Sequence, residues 1–449
     1  MPSRNNPEAM NTDSVRANFS ILQERHNGQP IVYLDSACMA LKPDVVIDAV
    51  TSYYRECPAC GGIGRSDHRF GREVVRRVFE AREKVRRFLN ARPCSDAYAP
   101  HTPTKEIVFT RNATEAINIV ARCSPFSSDA VVLTTNREHS SNLCPWKELE
   151  KDGRVRHRWL PSKPDEKFDL DAYEHVLRNE NVELVSMVHV SNLDGSAIPA
   201  AQVIKLAHAH GARVMLDAAQ SASCVPLDVQ ELDVDFLAFS VHKLCGPSGI
   251  GVLYGKEELL NDPRFGRFIT GGDTIEDSWL DRPPQYQDSP FVFEAGLQDY
   301  AGIIGAGAAI DFISGLDVAD IADHVRGLNT YLTEQLLEFE DEVEILGPSD
   351  PALRHGICTL CFKRRGIVSL FEEDITGAGN IMDHWANIMV RTGEFCVHSW
   401  FNHRKLGRER ERLRVSLYAY NTKDECDIFI AALRRLIECD EYQMLQKLT

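Results

Sequence analysis

The chain has 449 residues, with 50 lysines and arginines against 66 aspartates and glutamates, for a formal charge of −16. Apolar residues make up 43% and charged residues 26%, the balance of a globular chain that buries a large core, which excludes disordered and collagenous classes. No apolar run approaches the roughly 20 residues that span a bilayer, the polar opening Met1-Pro2-Ser3-Arg4-Asn5-Asn6 lacks the apolar stretch of a signal peptide, and the acidic balance argues against nucleic acid and anionic membranes as partners.

In chain order, the first punctuated segment is the loop Cys57-Pro58-Ala59-Cys60-Gly61-Gly62. Its Cys-x-x-Cys pair suits a packed loop, metal binding or redox use. Near-continuous apolar runs follow at 106–110, 131–134, 184–189, 213–217, 236–240 and 251–254. Such runs predict a largely parallel sheet covered on both faces. Between them lie helix patterns: Asn112 to Arg122 starts directly after a strand, and Ala201 to His210 is closed by Gly211, a residue suited to the position past a helix end. This predicts a three-layer α/β domain over 31–300, after an N-terminal arm at 1–30. The Gly- and Ala-rich stretch 302–312, an amphipathic helix at 323–339, a few strands and a last helix at 424–439 predict a smaller α+β domain at 301–449. Within it, Cys358 and Cys361 read as one buried strand, where residues three apart face opposite sides and do not chelate together. The arginine-dense run 402–414 reads as a solvated loop. His208 and His210, two apart on a helix, diverge, so no metal site is expected. The 13 cysteines, odd in number and scattered, predict free thiols in a reducing cytoplasm.

The chemistry concentrates at strand ends. Lys243 follows a strand and precedes the glycine-rich turn Gly246-Pro247-Ser248-Gly249. Ligands of open α/β sheets sit outside the carboxyl ends of strands, and a partly desolvated lysine there can form a Schiff base; alone it also reads as a surface lysine. Asp217 ends a buried strand and needs a cationic partner, which a pyridine N–H supplies; capping the next helix is the alternative. His139 follows another strand and can stack on a ring or act as a general acid. Ala113 and Thr114 open a helix, a phosphate site or an ordinary cap.

These residues, in this order, resemble the class V aminotransferase family of pyridoxal-phosphate enzymes, and within it the cysteine desulfurase and selenocysteine lyase branch. The resemblance runs from Tyr33-Leu34-Asp35-Ser36-Ala37 to Tyr420-Asn421-Thr422, through Thr110-Arg111-Asn112-Ala113-Thr114-Glu115, Val190-Ser191-Asn192-Leu193-Asp194-Gly195, Phe293-Glu294-Ala295-Gly296 and Val390-Arg391-Thr392-Gly393. It implies fold type I, pyridoxal 5'-phosphate, and an obligate homodimer with active sites at the subunit interface. It makes Lys243 the Schiff-base lysine, sets Asp217 against the ring nitrogen and Gln220 against the ring hydroxyl, and stacks His139 on the ring. It gives the phosphate to Ala113, Thr114, Ser240 and His242. Asn192 serves the ring oxygen and the substrate carboxylate, Arg414 clamps that carboxylate, and Arg65 reaches across the dimer. Cys396, in Arg391-Thr392-Gly393-Glu394-Phe395-Cys396, takes the sulfur-accepting position. The activity implied is conversion of L-cysteine to L-alanine with a persulfide on Cys396, passed on to an acceptor protein.

The chain departs from the family at four places. Glu394 and Phe395 replace paired histidines before the cysteine, and a carboxylate there opposes thiolate formation. Leu297 replaces a threonine that reaches the partner's phosphate, and Gly64 replaces a histidine before Arg65. Selenocysteine lyase, aminotransferase and amino-acid epimerase activities on the same scaffold are the alternatives, with a non-catalytic cofactor-binding protein as the rival from another class. The loop holding Cys60 precedes Arg65, so Cys60 is expected near the partner's active site.

Overall fold

The computed structural model describes residues 10–62, 66–94, 102–363, 377–407 and 410–438. Its chain divides into two units: Lys42–Val190 with Ala197–Gly315, and Met1–Leu41 with Ser191–Ser196 and Leu316–Thr449. The divisions at 41/42 and 315/316 differ from the 30/31 and 300/301 read from sequence. The N-terminal segment pairs with a strand from late in the chain, and the Gly- and Ala-rich helix runs on to Leu316.

In the first unit, β1 (Ile107–Thr110), β2 (Val131–Thr135), β3 (Arg156–Leu160), β4 (Val182–Val188), β5 (Arg213–Asp217), β6 (Phe236–Ser240) and β7 (Gly251–Gly255) form one seven-stranded sheet. Its order is β1-β7-β6-β5-β4-β2-β3. Strands β2 to β6 pair in parallel, while β7 runs antiparallel to both neighbours. The edge strand β3 escaped the sequence reading because Arg156, His157 and Arg158 break its apolar pattern.

Both faces of the sheet are covered, and the pleat sorts the side chains between them. Ile107, Phe109, Val131, Leu133, Val214, Leu216, Leu237 and Phe239 join one core. There they meet α2 (Arg69–Leu89), which follows α1 (Asp44–Glu56), and then α5 (Leu170–Asn179), α6 (Ala200–Ala209) and α7 (Tyr300–Leu316). Val108, Val132, Met215, Phe236 and Ala238 alternate onto the other face. They pack against α3 (Ala113–Cys123) and α4 (Ser140–Lys151). Each fully buried Val, Leu, Ile or Phe contributes about 1.5–3 kcal/mol, so both faces of the sheet are core. A buried ion pair straps this unit: Arg82 of α2 grips Glu294 through two bonds of 2.7 and 2.8 Å, and Glu294 also accepts the Phe109 amide of β1.

The second unit holds a four-stranded antiparallel sheet, β8 (Val343–Leu346), β9 (Ile357–Phe362), β10 (Arg391–Thr392) and β11 (Arg412–Ser416), in the order β8-β9-β11-β10. Helices α8 (Val318–Leu336) and α9 (Lys423–Glu438) belong to it. Val32–Tyr33 pairs in parallel with Ile388–Met389. Cys358 and Cys361 lie buried in β9, as expected of a strand. The run 402–414 differs from the solvated loop expected. Its end is strand β11, where Arg412 and Arg414 are buried, because Leu413 and Val415 fill the core of this unit.

Candidate active site

The parallel order of the large sheet sets the carboxyl ends of β1, β2, β5 and β6 along one edge. Asp217 ends β5 with its carboxylate buried and accepts the Ala219 amide at 3.0 Å. Burial pushes its pKa up, and the backbone bond and the Lys243 charge pull it down. Lys243 closes a one-turn 3-10 helix directly after β6. That turn is tight: a Cβ on Gly246 would lie 2.2 Å from Val241 Cγ1. A Cβ on Gly251, where β7 starts, would lie 2.5 Å from the Asn112 backbone, so glycine is what lets β7 pass the start of α3.

At that start the Ala113 amide donates to Ser240 Oγ at 2.9 Å, and the Glu115 amide donates to Asn112 Oδ1 at 3.0 Å. The Thr114 and Ser141 hydroxyls bond each other at 2.7 Å. The positive end of an 11-residue helix, with these hydroxyls beside it, favours negative charge at this point. Burial, with the charges of Lys243 and Lys42, pushes His242 down to about 4, so its imidazole is neutral at pH 7. Gln220 is buried just past β5.

His139 caps α4, and its Nδ1 accepts the Ser141 amide at 3.1 Å. The neutral ring therefore carries its proton on Nε2. Beneath it lies Glu138, which the sequence reading missed. Its carboxylate accepts from Thr135 N and Oγ1, Asn142 Nδ2 and Val188 N, and burial pushes its pKa up to about 7. The available signal was a glutamate placed directly after a buried strand and before a candidate catalytic histidine. His208, by contrast, is taken up by Asp235 at 2.7 Å and Asp233 at 3.3 Å.

The second unit holds the remaining residues. Arg414, on β11, donates from Nη1 to the Asn192 carbonyl oxygen at 3.0 Å and from Nη2 to Asp35 at 3.3 Å. Asn192 Nδ2 donates to the Phe395 carbonyl at 2.7 Å, and the Phe395 ring lies 5.0 Å from the Arg414 guanidinium. Cys396 follows and is exposed. Phe395 and Cys396 both take left-handed backbone angles, φ 50° and 59°, behind Gly393 at 92°. Two consecutive non-glycine residues in that region are held against a cost of order 1–3 kcal/mol each. The carboxylate of Glu394 turns to His398 at 3.1 Å and Arg412 at 3.8 Å.

The structure thus gathers Lys243, Asp217, Gln220, His139, Ala113, Thr114, Ser240 and His242 in one unit and Arg414, Asn192 and Cys396 in the other. Arg65 and Gly64 lie outside the described residues. Leu297 is 70% exposed. Cys57 is buried at the end of α1, and Cys60 is exposed.

Comparison with known proteins gives the same order of motifs a family. The aminotransferase class-V model matches residues 32–429. A probable cysteine desulfurase of Halalkalibacterium halodurans is 34% identical over 438 residues, covering 96% of this chain and 98% of that protein. A cysteine desulfurase of Pectobacterium atrosepticum is 36% identical over 428 residues, 94% of this chain and 97% of that one. Among solved structures, the cysteine desulfurase CsdA of Escherichia coli superposes with a TM-score of 0.80 at 30% identity, covering 96% and 99% of the two chains. The apo cysteine desulfurase of Thermococcus onnurineus NA1 does so with 0.84, at the same identity and coverage. Sequence and fold agree, and the chain belongs to the class-V aminotransferase family.

Proposed function

We propose that this protein is a pyridoxal-phosphate cysteine desulfurase that converts L-cysteine to L-alanine and carries the released sulfur on Cys396. The observation that carries the reading is the placement of Cys396. It is an exposed thiol on a strained turn whose preceding residue is pinned by Asn192 and packed on the Arg414 guanidinium. A nucleophilic thiol fixed beside a carboxylate clamp is what sulfur abstraction from an amino acid requires. The relatives named as cysteine desulfurases, matched over nearly their whole length, support it.

The strand-end residues fit pyridoxal phosphate. Asp217 is a buried carboxylate suited to a ring N–H, the close pass at Gly251 shapes the start of α3, and that helix end offers an anion site. Ala113, Thr114, Ser240 and His242 would hold its phosphate, Gln220 its hydroxyl, and Lys243 its aldehyde carbon. When bound, the group supplies a sink for the electron pair left at the substrate Cα.

This chain's residues do the rest. Arg414 grips the substrate carboxylate and, with Asn192, fixes its orientation. Lys243 takes the Cα proton at Nζ. Asp217, held by the Ala219 amide, keeps a proton on its partner nitrogen. His139 presents Nε2–H as a general acid. The Cys396 thiolate attacks the substrate sulfur: an S–S bond forms on Cys396, the carbon–sulfur bond breaks, and its electron pair leaves with the carbon, which is then protonated. The reading includes a cytoplasmic homodimer that passes the persulfide sulfur to an acceptor protein.

The test is turnover of L-cysteine with alanine, sulfide and alkylation-trapped persulfide measured separately. Alanine with a persulfide on Cys396 is expected; cysteine consumed without alanine defeats the reading.

A further inference from the structure

Arg414 is 2% exposed, yet its guanidinium is only part-satisfied. Nη1 has the Asn192 carbonyl and Nη2 has Asp35, while the buried Nε–H has no acceptor. The Oδ1 of Asn192 is likewise buried without a partner. Buried polar atoms left this way are rare and call for an explanation. An open Nε on a planar cation whose neighbouring nitrogen is held at a long 3.3 Å is a fork waiting for carboxylate oxygens.

Asp35 is built into this place. Its neighbour Leu34 accepts the Ser416 amide at 2.8 Å and the Ser416 hydroxyl at 3.1 Å, and the Ala37 amide donates to that same hydroxyl at 2.9 Å. A bridge pairs Asp35 with Ser416, two residues along β11 from Arg414. Across the ladder Arg391 stands directly opposite Arg414, and like charges so placed repel. Asp35 is the carboxylate that meets both: each arginine's charge acts on it, and Arg414 bonds it. A buried guanidinium without a counter-charge is costly, so Asp35 stabilises the cation when no other carboxylate is present.

We propose that Asp35 is a specificity-determining residue: a resident carboxylate that occupies Arg414 until an amino acid's carboxylate takes the open Nε and Asp35's place on Nη2. Affinity for substrate is then a difference between two carboxylates competing for one guanidinium, and the same competition speeds the departure of the product carboxylate. The inference rests on Arg414 being the carboxylate clamp of the proposed function.

The experiment uses holoenzyme with Asp35→Asn, which keeps an oxygen acceptor for Nη2 and removes the charge. Steady-state kinetics on L-cysteine are read beside competitive inhibition by L-alanine, with cysteamine, which lacks the carboxylate, as a binding control. KM for cysteine and the inhibition constant for alanine are expected to fall together by about fivefold, the worth of one modest ion pair. That fall should exceed any change in kcat, and cysteamine binding should not follow it. Asp35→Ser carries the same expectation should the Asn variant fail to fold. Unchanged or raised KM and alanine constants overturn the competition. Arg414→Gln separates the two claims: if it leaves KM for cysteine and the alanine constant unmoved, the clamp itself is wrong. If it raises both while Asp35→Asn lowers neither, only the role of Asp35 falls.

Discussion

Glu138, on the turn after β2, accepts the amide of Val188, the last residue of β4, at 2.9 Å. The same carboxylate takes donors from Thr135 and Asn142, so one buried side chain ties two parallel strands to the helix that His139 caps. Burial raises its pKa to about 7 from 4.5. A group whose pKa is raised on folding contributes stability that is fully present below the unfolded value and is lost as pH climbs through the folded one. Thermal unfolding of apoprotein at fixed ionic strength should therefore show stability falling from about pH 4.5 to pH 7 by an amount on the order of 2–3 kcal/mol from this residue. Glu138→Gln should flatten that slope, and should also cost about 1–3 kcal/mol because its amide N–H faces donors. A slope unchanged in the variant would assign the pH dependence elsewhere.

Reduction of holoenzyme with borohydride should fix a pyridoxyl group on Lys243, read by peptide mapping. Lys243→Ala should retain folding but lose the covalent label and the absorption band of the bound cofactor. A label on another lysine would end the assignment.

Cys396→Ala should abolish alanine and sulfide formation from L-cysteine, whose thiolate leaves poorly without a nucleophile on sulfur. Turnover of selenocysteine and cysteine sulfinate, whose groups leave more readily, should survive at least in part. Full cysteine turnover by the variant would favour an aminotransferase or epimerase.

Gly251→Ala places a methyl group 2.5 Å from the Asn112 backbone, closer than any relaxed contact. The expected result is weaker retention of the cofactor, since the start of α3 must shift, together with a stability loss of about 1–3 kcal/mol. Cofactor release by dialysis and the unfolding midpoint measure the two effects. Retention equal to wild type would show that α3 yields without consequence.

Glu294→Ala leaves Arg82 buried without its partner and frees the Phe109 amide. Loss of one member of such a pair costs about 3–5 kcal/mol. The variant should therefore lose soluble yield or show a much lower unfolding midpoint. A small shift would mean that Arg82 finds another acceptor.

The strands of the large sheet were legible because 131–134, 236–240 and 251–254 are near-continuous apolar runs, and the tight turn after Lys243 was legible because it is spelled in glycine. The edge strand β3 was not, since one exposed side tolerates arginines. Glu294 was seen only as a letter of a motif and Glu138 not at all: each takes a donor from far along the chain, Val188 at 50 positions and Phe109 at 185, a distance no local pattern reports. The pairing of Asp35 with Arg414 spans 379 positions. Arg414 could be singled out from its motif, but the carboxylate that bonds it could not.

The pairing of Val32–Tyr33 with Ile388–Met389 has a consequence for synthesis. On the ribosome, Val32–Tyr33 emerges about 350 residues before the strand it pairs with, and at roughly 5–20 residues per second the wait is tens of seconds. Residues 42–315 are complete long before that and can fold while the N-terminal segment is still unpaired. The order of folding thus reverses the order of translation at the amino terminus, and the exposed edge of Val32–Tyr33 is what a nascent-chain chaperone would have to shield in the interval.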